Sequence, residues 1–386
     1  MKVRFMDLSG PTQEIKKEFL ARLDKFLDKA NFILTDEVRD FENAWARYVG
    51  TEHCVGVSNG TDALWLALIA LGVKAGDEVI TQGNAYNASV TAILRSGAIP
   101  RFADIDPKTL LVDTSLIEQL ITPKTRAILP VHLYGQASDM GAIVEIAKKH
   151  KLVVIEDCAQ AHGAEWQGKR VGSWGDAAAW SFYPTKNLGA LGDAGAVTTS
   201  NARAAEEIRI LRNLGQSSKN VHARLGYNMR LDPIQAIALS LKLAHLSEST
   251  KKRQAAGAYY DGLIDAAKFP VQYVRRDDRA THVYHLYPVK ILKALRSGSG
   301  QGDRDKVREE LSRKDVGTEI HYPVLVMDQP FYPKDLLHDA CPVATETARA
   351  IISLPLHENI TKEEQKYVID SLKEAVLNSN LNCNDH

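Results

Sequence analysis

The chain has 386 residues, 45% of them hydrophobic, and its 48 basic and 48 acidic side chains cancel to a formal net charge of zero. This length allows two domains, and the even charge balance disfavours binding to nucleic acid or to an acidic membrane surface. The four cysteines lie far apart without a CxxC pair, so we expect neither a disulfide framework nor a metal site. We also expect a cytoplasmic protein, because the N-terminal residues contain no apolar run of signal-peptide or membrane-spanning length.

Up to about residue 245, predicted helices alternate with short strands. Apolar residues at helical spacing predict a helix over 35–50, and a strand and turn over 53–60 lead into a helix over 61–72. Further helices, such as 138–150, separate β-branched runs that predict strands in the sequences EVIT, AIPRFADI, TRAILPVHLYG, KLVVIEDCAQ, AAAWSFY and GAVTTS. This alternation is typical of an α/β fold with a mostly parallel sheet.

The pattern changes after a long helix predicted over 230–250, at whose start Asp232 can act as the N-cap. The sequence that follows has a mixed α+β texture, so we predict a large domain over 1–245 and a small domain over 246–386. A Ser/Gly-rich stretch at 296–303 predicts an exposed loop, and the tail after about 378 is expected to fray.

The turn SNGTDAL at 58–64 is the first candidate binding element. It leads into a helix at Gly60 and Thr61, where unpaired backbone N–H groups and the helix dipole together can bind a phosphate. An N-cap that serves only its own helix is the alternative interpretation.

An acidic pair, Glu156 and Asp157, ends the apolar run at 153–157. A carboxylate at the end of a buried strand needs a partner, and the protonated nitrogen of a bound pyridine ring would supply one. A helix cap or a salt bridge explains the pair equally well from this fragment alone. The next residue, Cys158, is interpreted as a small buried hydrophobe rather than a thiol nucleophile.

A single lysine lies among evenly spaced glycines in SFYPTKNLGALGDAGAV at 181–197. The loop position of Lys186 between two predicted strands suits a lysine that attacks a carbonyl, whereas a solvated surface lysine is the alternative. We expect Gly189, Gly192 and Gly195 to let the backbone pass close to a ligand. Their GxxGxxG spacing between two strands differs from the GxGxxG of a dinucleotide site.

The segments around Gly60, Asp157, Lys186 and Asn228, in this order and spacing, resemble the sugar aminotransferases of the DegT/DnrJ/EryC1/StrS family over nearly the whole chain. The resemblance implies a fold type I transferase that depends on pyridoxal 5'-phosphate, with a mostly parallel central sheet and a smaller α+β C-terminal domain. It also implies a homodimer whose active sites lie at the subunit interface.

The same resemblance implies a role for each matching residue. Lys186 forms the internal aldimine, and Asp157 pairs with the pyridine nitrogen. The other implied cofactor contacts are Gln160 near the phenolic oxygen, Gly60, Thr61 and Ser181 at the phosphate, Asn228 at the phosphate of the partner subunit, and Tyr86 on the ring. A tyrosine that merely ends a strand is the alternative for Tyr86, because Asn87 follows where the family has an apolar residue. The implied substrate-binding residues are Tyr183, Asn187 and His321.

Within the family, the run after Lys186 resembles the branch that aminates C-3 of dTDP-linked 3-keto-6-deoxyhexoses. The implied reaction is a ping-pong transfer from L-glutamate by way of pyridoxamine phosphate, in the biosynthesis of deoxy amino sugars for lipopolysaccharide or antibiotic glycosylation. Amination at C-4, a UDP- or GDP-linked keto sugar, and a non-catalytic regulatory relative are the alternatives. Deoxygenating members replace the lysine by histidine, so Lys186 disfavours that chemistry. The family's His-Tyr-Pro segment matches residues 319–332, with Met327 where a second histidine is common.

Overall fold

The computed structural model describes residues 1–292 and 301–378. The tail predicted to fray after about 378 lies outside these residues, as does most of the loop predicted over 296–303, whose last residues begin a helix. No helix in the described ranges combines the length and apolar character that crossing a membrane requires.

The strands define two sheets and two short hairpins. In chain order they are β1 (His53–Val57), β2 (Glu78–Gln82), β3 (Ile99–Ala103), β4 (Thr125–Ile128), β5 (Val153–Asp157), β6 (Glu165–Trp166), β7 (Lys169–Arg170), β8 (Ala177–Ser181), β9 (Gly195–Thr199), β10 (Gln216–Ser218), β11 (Val221–His222), β12 (Val271–Tyr273), β13 (Tyr287–Ile291) and β14 (Ile351–Leu354).

The helices connect and cover these strands. They are α1 (Ser9–Lys29), α2 (Asp36–Val49), α3 (Gly60–Ala70), α4 (Asn87–Arg95), α5 (Met140–His150), α6 (Ala202–Arg212), α7 (Pro233–Leu243), α8 (Leu246–Ala267), α9 (Gln301–Arg313), α10 (Pro342–Ala350) and α11 (Lys362–Asn378). Short 3₁₀ turns lie at Thr114–Leu116, Glu118–Leu120, Leu133–Gly135 and Val326–Asp328.

The central sheet has seven strands in the order β1-β9-β8-β5-β4-β2-β3. Strand β9 is antiparallel to both of its neighbours, and the other adjacent pairs are parallel. This confirms the predicted α/β class and the mostly parallel sheet. Since β1, β5 and β8 therefore point the same way, the residues that follow them meet at one edge of the sheet, where α/β folds bind ligands.

Successive strand residues enter different hydrophobic clusters, as expected when side chains alternate between the two faces of a sheet. Val79 and Ile155 pack in a cluster with α3, whereas their neighbours Ile80 and Val154 pack in a cluster with α2. The central sheet is thus covered by helices on both faces.

A third cluster joins the antiparallel sheet β12-β13-β14 to α8, α9 and α11, and it also includes Val3 from the N-terminus. The segment that carries Leu325 and Met327 packs instead with the cluster of α3. A division of the chain into domains at residue 246 stays a prediction.

The prediction of one long helix over 230–250 is wrong. The structure has two helices there, α7 and α8, which are separated by Ala244 and His245. Neither glycine nor proline marks the break, so apolar periodicity alone could not reveal it. Asp232 is the N-cap of α7 as predicted, with Pro233 in the first turn, but its side chain makes no capping hydrogen bond.

Candidate active site

A cavity of about 1020 Å³ opens at the edge of the sheet where β5 and β8 end and α3 begins. Asp157 is the last residue of β5, Ser181 is the last residue of β8, and Gly60 is the first residue of α3. The predicted site residues that line this cavity are Gly60, Thr61, Tyr86, Asp157, Gln160, Ser181, Tyr183, Lys186 and His321. Segments far apart in the chain therefore converge on one site.

Lys186 lies on the loop between β8 and β9, as the sequence predicts. Its backbone N–H donates to the carbonyl oxygen of Tyr183 at 2.8 Å, which closes a tight turn. Burial lowers the pKa of the amine from 10.5 to about 8, an effect that the negative charge of Asp157 partly opposes. A lower pKa increases the neutral, nucleophilic fraction of a lysine near neutral pH.

The Asp157 carboxylate is buried at the end of β5. Its Oδ2 accepts a hydrogen bond from the Ser89 hydroxyl at 2.7 Å, and its Oδ1 accepts one from the Ala159 N–H at 3.1 Å. Over residues 1–292 and 301–378, no Lys, Arg or His lies within ion-pair distance of it, and burial raises its pKa. A buried carboxylate of this kind is stabilised by a cation that enters the cavity, such as a protonated ring nitrogen.

The neighbouring Glu156 is satisfied by the protein itself. It accepts three backbone N–H groups from the loop 172–175 and the Nε2–H of His132 at 3.0 Å. The Nδ1 of His132 accepts the Ser138 N–H, so its proton lies on Nε2. The structural role considered for the acidic pair thus belongs to Glu156, which anchors the end of β5 and leaves Asp157 for the cavity.

The first turn of α3 and Ser181 together form a cradle at the cavity. The N-cap is Asn59, whose Oδ1 accepts the Asp62 N–H at 2.9 Å, so the helix begins earlier than the predicted Thr61. Within the described chain, the N–H groups of Gly60 and Thr61 have no acceptor. A Cβ on Gly60 would lie 2.6 Å from Cβ of Ser181, so only glycine allows this close approach. The free N–H groups and the serine hydroxyl suit an anion.

A polar relay orients the Gln160 amide at the cavity wall. Its Oε1 accepts the Tyr134 N–H at 2.7 Å, and its Nε2 donates to the Tyr322 hydroxyl at 3.0 Å. The Tyr86 ring, half exposed, lies 5.2 Å from the Tyr322 ring between centroids. Sequence reasoning missed Tyr322, although it directly follows His321 in the His-Tyr-Pro segment.

Two histidines line the cavity in the neutral form. Burial lowers the pKa of His321 to about 4, and its Nδ1 lies 2.9 Å from the Ser353 hydroxyl. Burial also lowers the pKa of His285 well below its usual value, and the positive charge of Lys186 adds to this shift. No motif surrounds His285 in the sequence, so sequence reasoning did not identify it.

Two predicted site residues do not line this cavity. The Asn187 amide donates to the Val283 carbonyl at 2.8 Å, and its Oδ1 lies 3.2 Å from Nδ1 of His285. Asn228 is exposed, and its Oδ1 accepts a hydrogen bond from Arg230. The role implied for Asn228 involves a second subunit and stays a prediction.

The expectation that the glycines after Lys186 let the backbone pass close to a ligand stays a prediction for Gly192, whose Cβ would lie 3.0 Å from the Gln235 side chain, and is wrong for Gly189 and Gly195. A Cβ on Gly189 would lie 2.3 Å from the Pro184 carbonyl oxygen, and a Cβ on Gly195 would lie 2.4 Å from that of Asn59. Gly189 and Gly195 make space for the protein's own backbone rather than for a ligand. They bring the Lys186 loop and the N-cap of α3 together.

The chain has extensive similarity to known proteins. It is 40% identical over 376 residues to a pleiotropic regulatory protein of Geobacillus stearothermophilus, across 97% of this chain and 98% of that protein. It is 41% identical over 372 residues to a dTDP-3-amino-3,6-dideoxy-alpha-D-galactopyranose transaminase of Aneurinibacillus thermoaerophilus, across 96% and 98% of the two chains. The crystal structure of S. venezuelae DesV in complex with a ketimine intermediate superposes with a TM-score of 0.91 at 38% identity, across 97% and 98% of the chains.

The family assignment rests on nearly the full length of the chain. The model of the DegT/DnrJ/EryC1/StrS aminotransferase family matches residues 13–373, a range that contains the predicted site residues. The chain therefore belongs to the DegT/DnrJ/EryC1/StrS aminotransferase family.

Proposed function

We propose that this protein is a pyridoxal-phosphate-dependent transaminase that moves the amino group of L-glutamate to C-3 of a dTDP-linked 3-keto-6-deoxyhexose. The observation that carries the proposal is the convergence of Lys186, Asp157 and the first turn of α3 on one cavity. When bound, the cofactor supplies an aldehyde carbon that can carry an amino group and a ring that accepts electrons.

The residues present fit this cofactor. The unpaired N–H groups of Gly60 and Thr61 and the Ser181 hydroxyl suit its phosphate, and the buried Asp157 suits its ring nitrogen. Tyr86 and the Gln160 amide border the same space, where they suit the ring face and the phenolic oxygen. Asp157 then keeps the ring nitrogen protonated, which is the electron-accepting form.

Lys186 has two tasks in the proposed reaction. With the cofactor bound, its Nζ would hold the aldehyde carbon, and the amino donor would take its place. The freed amine then takes the proton from Cα of the donor in the first half-reaction and delivers a proton to C-3 of the sugar in the second. A pKa of about 8 suits both tasks, because the amine can gain and lose a proton near neutral pH.

Two observations favour a dTDP-linked sugar aminated at C-3. The relative at 41% identity is named for a transaminase of a dTDP-linked 3-amino-3,6-dideoxy sugar. The run after Lys186 also lacks the Thr-Thr-Gly-Glu-Gly-Gly type of sequence that branches acting at C-4 tend to carry. The proposal places the reaction in deoxy amino sugar biosynthesis in the cytoplasm.

The proposal includes a homodimer in which Asn228 of the partner subunit contacts the cofactor phosphate. The neighbouring segment 214–225, which contains the hairpin β10–β11, exposes apolar side chains, with exposed fractions of 48% at Leu214, 53% at Val221 and 84% at Leu225. Exposed apolar side chains that are close together in one segment are typical of an interaction surface.

A regulatory role is a second candidate, because one relative at 40% identity is named a pleiotropic regulatory protein. A purely regulatory protein has no need of a lysine with a lowered pKa in the same cavity as a buried carboxylate that forms no ion pair within the described chain. The arrangement of Lys186 and Asp157 therefore favours catalysis.

The test is a transfer assay with ¹⁵N-labelled glutamate, added cofactor and a dTDP-linked 3-keto-6-deoxyhexose, with the product examined by NMR. We expect ¹⁵N bonded to C-3 and no transfer by a Lys186→Ala variant. Label at C-4, or transfer only to a UDP- or GDP-linked keto sugar, would overturn the proposed substrate. Absence of transfer to every keto sugar would overturn the proposed activity and favour the regulatory role.

A further inference from the structure

The N-terminal segment lines the cavity through Arg4, Phe5 and Met6, and its neighbouring residues hold it in place. Val3 is buried, its N–H donates to the Asp315 carbonyl at 2.9 Å, and its carbonyl accepts the Gly317 N–H at 2.9 Å. Two residues on, the Phe5 ring stacks on the His321 ring with 6.0 Å between centroids. Arg4 lies between these two anchored residues, so its backbone is held at the cavity although its side chain is exposed.

Few cationic side chains are available to a substrate in this cavity. Among the described residues that line it, the only Lys and Arg side chains are Lys186 and Arg4, and burial keeps His285 and His321 neutral. The proposed reaction commits Lys186 to the cofactor. Arg4 has no ion pair or side-chain hydrogen bond within the described chain, so its guanidinium is free to bind an anion.

Four acidic residues line the cavity, and none of them forms an ion pair with Arg4 within the described chain: Asp62, Asp157, Asp193 and Glu319. Glu319 forms an ion pair with Arg308 at 3.3 Å, and Asp62 forms one with Arg95 at 2.7 Å. The first turn of α3 is assigned to the cofactor phosphate. Among the described residues that line the cavity, Arg4 is therefore the one uncommitted cation that a second phosphate-bearing ligand meets, and it lies next to Phe5 of the Phe5–His321 pair.

We propose that Arg4 binds the diphosphate of the nucleotide sugar and thereby fixes the sugar end of the substrate toward Lys186. This inference rests on the proposed function and assigns the diphosphate contact to the N-terminal segment of the same chain. A guanidinium is well suited to this task, because its planar donors can bind two phosphate oxygens at once.

The test measures dTDP binding by calorimetry to the cofactor-loaded full-length protein and to three variants. In Arg4→Gln, we expect the Kd for dTDP to rise at least about tenfold, because the lost contact is a hydrogen bond between two charged groups. Arg4→Lys keeps the charge without the planar fork and should lie between wild type and Arg4→Gln. Lys2→Gln removes the same charge from an exposed residue outside the cavity and should bind dTDP like wild type.

Salt and kinetics provide independent measurements. Raising the salt concentration should weaken dTDP binding to wild type more than to Arg4→Gln, since screening acts on a charge that the variant lacks. In turnover assays, Arg4→Gln should raise KM for the nucleotide sugar without raising KM for glutamate.

The outcomes separate the inference from the proposed function. If wild type binds dTDP, or UDP or GDP in its place, and Arg4→Gln binds it as tightly, the inference alone fails. A Lys2→Gln variant that weakens binding as much as Arg4→Gln also overturns it, because the effect is then one of net charge. If cofactor-loaded wild type binds none of the three nucleotides, the proposed substrate class fails and the inference fails with it.

Discussion

Burial has opposite consequences for the two ionisable residues that share the cavity. It lowers the pKa of the Lys186 amine and raises the pKa of the Asp157 carboxyl, so both shifts favour the neutral forms. A neutral lysine is the form that attacks a carbonyl. A cationic ring nitrogen beside Asp157 would restore the charge of the carboxylate, so the protein is complementary to a ligand that combines these two features.

The pH dependence of cofactor capture follows from the lysine pKa. The neutral fraction of the amine increases as pH rises, and a pKa lowered to about 8 places its half-point near pH 8 instead of near 10.5. We expect the rate of capture by the apoprotein, followed by absorbance, to rise by about tenfold per pH unit below this point and to level off above it. A rate that still rises steeply above pH 9 would contradict a lowered lysine pKa.

Ser89→Ala tests the support of Asp157. The Ser89 hydroxyl donates to Oδ2 of Asp157 at 2.7 Å, so its loss raises the carboxyl pKa further and weakens the hold on the ring nitrogen. We expect kcat to fall by about ten- to a hundredfold, because this is the change in rate that corresponds to the free energy of a hydrogen bond to a charged group.

Thr91→Ala is the matched control on the same helix, because the Thr91 hydroxyl donates to Asn87 Oδ1, outside the site. Its kcat should stay close to that of wild type. Equal losses of kcat in the two variants would show that any lost hydroxyl on α4 lowers activity, and would contradict a specific role for the hydrogen bond from Ser89 to Asp157.

At the scale of secondary structure, the site depends on the contact between the N-terminus of α3 and the end of β8. Gly60 lies so close to Ser181 that a Cβ added to Gly60 would be 2.6 Å from the Ser181 Cβ. A Cβ added to Gly195 would lie similarly close to the backbone of Asn59. Small residues on both sides of the cradle therefore set the distance between the helix dipole and the Lys186 loop.

Gly60→Ala should separate α3 from β8 and weaken cofactor binding at least about tenfold, since the phosphate loses aligned N–H donors. Cofactor titration of the apoprotein measures this. Gly262→Ala in α8 is the control, because its Cβ would meet nothing within 4 Å. It should leave cofactor affinity unchanged and stabilise the fold by up to about 1 kcal/mol in chemical unfolding. Unchanged cofactor affinity in Gly60→Ala would contradict the cradle.

Local patterns predicted the elements and the residues at their ends. Asp157 ends an apolar run and Lys186 lies between two β-branched runs, so both positions at the sheet edge could be predicted. The residues that complete the site could not, because they come from distant parts of the chain: Ser89 lies 68 residues from Asp157, and Tyr322 lies 162 residues from Gln160. The glycines showed that space is needed near Lys186, but the sequence does not say that backbone fills it.

At the scale of the whole molecule, three regions of the chain surround the reacting groups. The central sheet supplies Asp157 and Lys186, the segment after α9 supplies His321, and the N-terminus supplies Arg4 and Phe5. Asn228 lies outside this enclosure and is exposed, which agrees with the proposed contribution from a second subunit.

Subunit complementation tests the shared site. A heterodimer of Lys186→Ala and Asn228→Asp would contain one site with both changes and one with neither. A random mixture should therefore regain about a quarter of the wild-type activity, although each variant alone is inactive or weak. Lys186→Ala mixed with the double variant has no intact site and serves as the control. An inactive purified heterodimer, or a monomer by light scattering, would contradict the shared site.

The central claim is that Lys186 holds pyridoxal phosphate covalently, and borohydride trapping followed by peptide mass spectrometry tests it most directly. Borohydride reduces the bond between a lysine amine and the cofactor's aldehyde to a stable one. We predict that the protein loaded with cofactor carries the added mass on the peptide that contains Lys186, and that prior incubation with glutamate prevents this labelling. Label confined to other lysines, or no label at all, would contradict the claim.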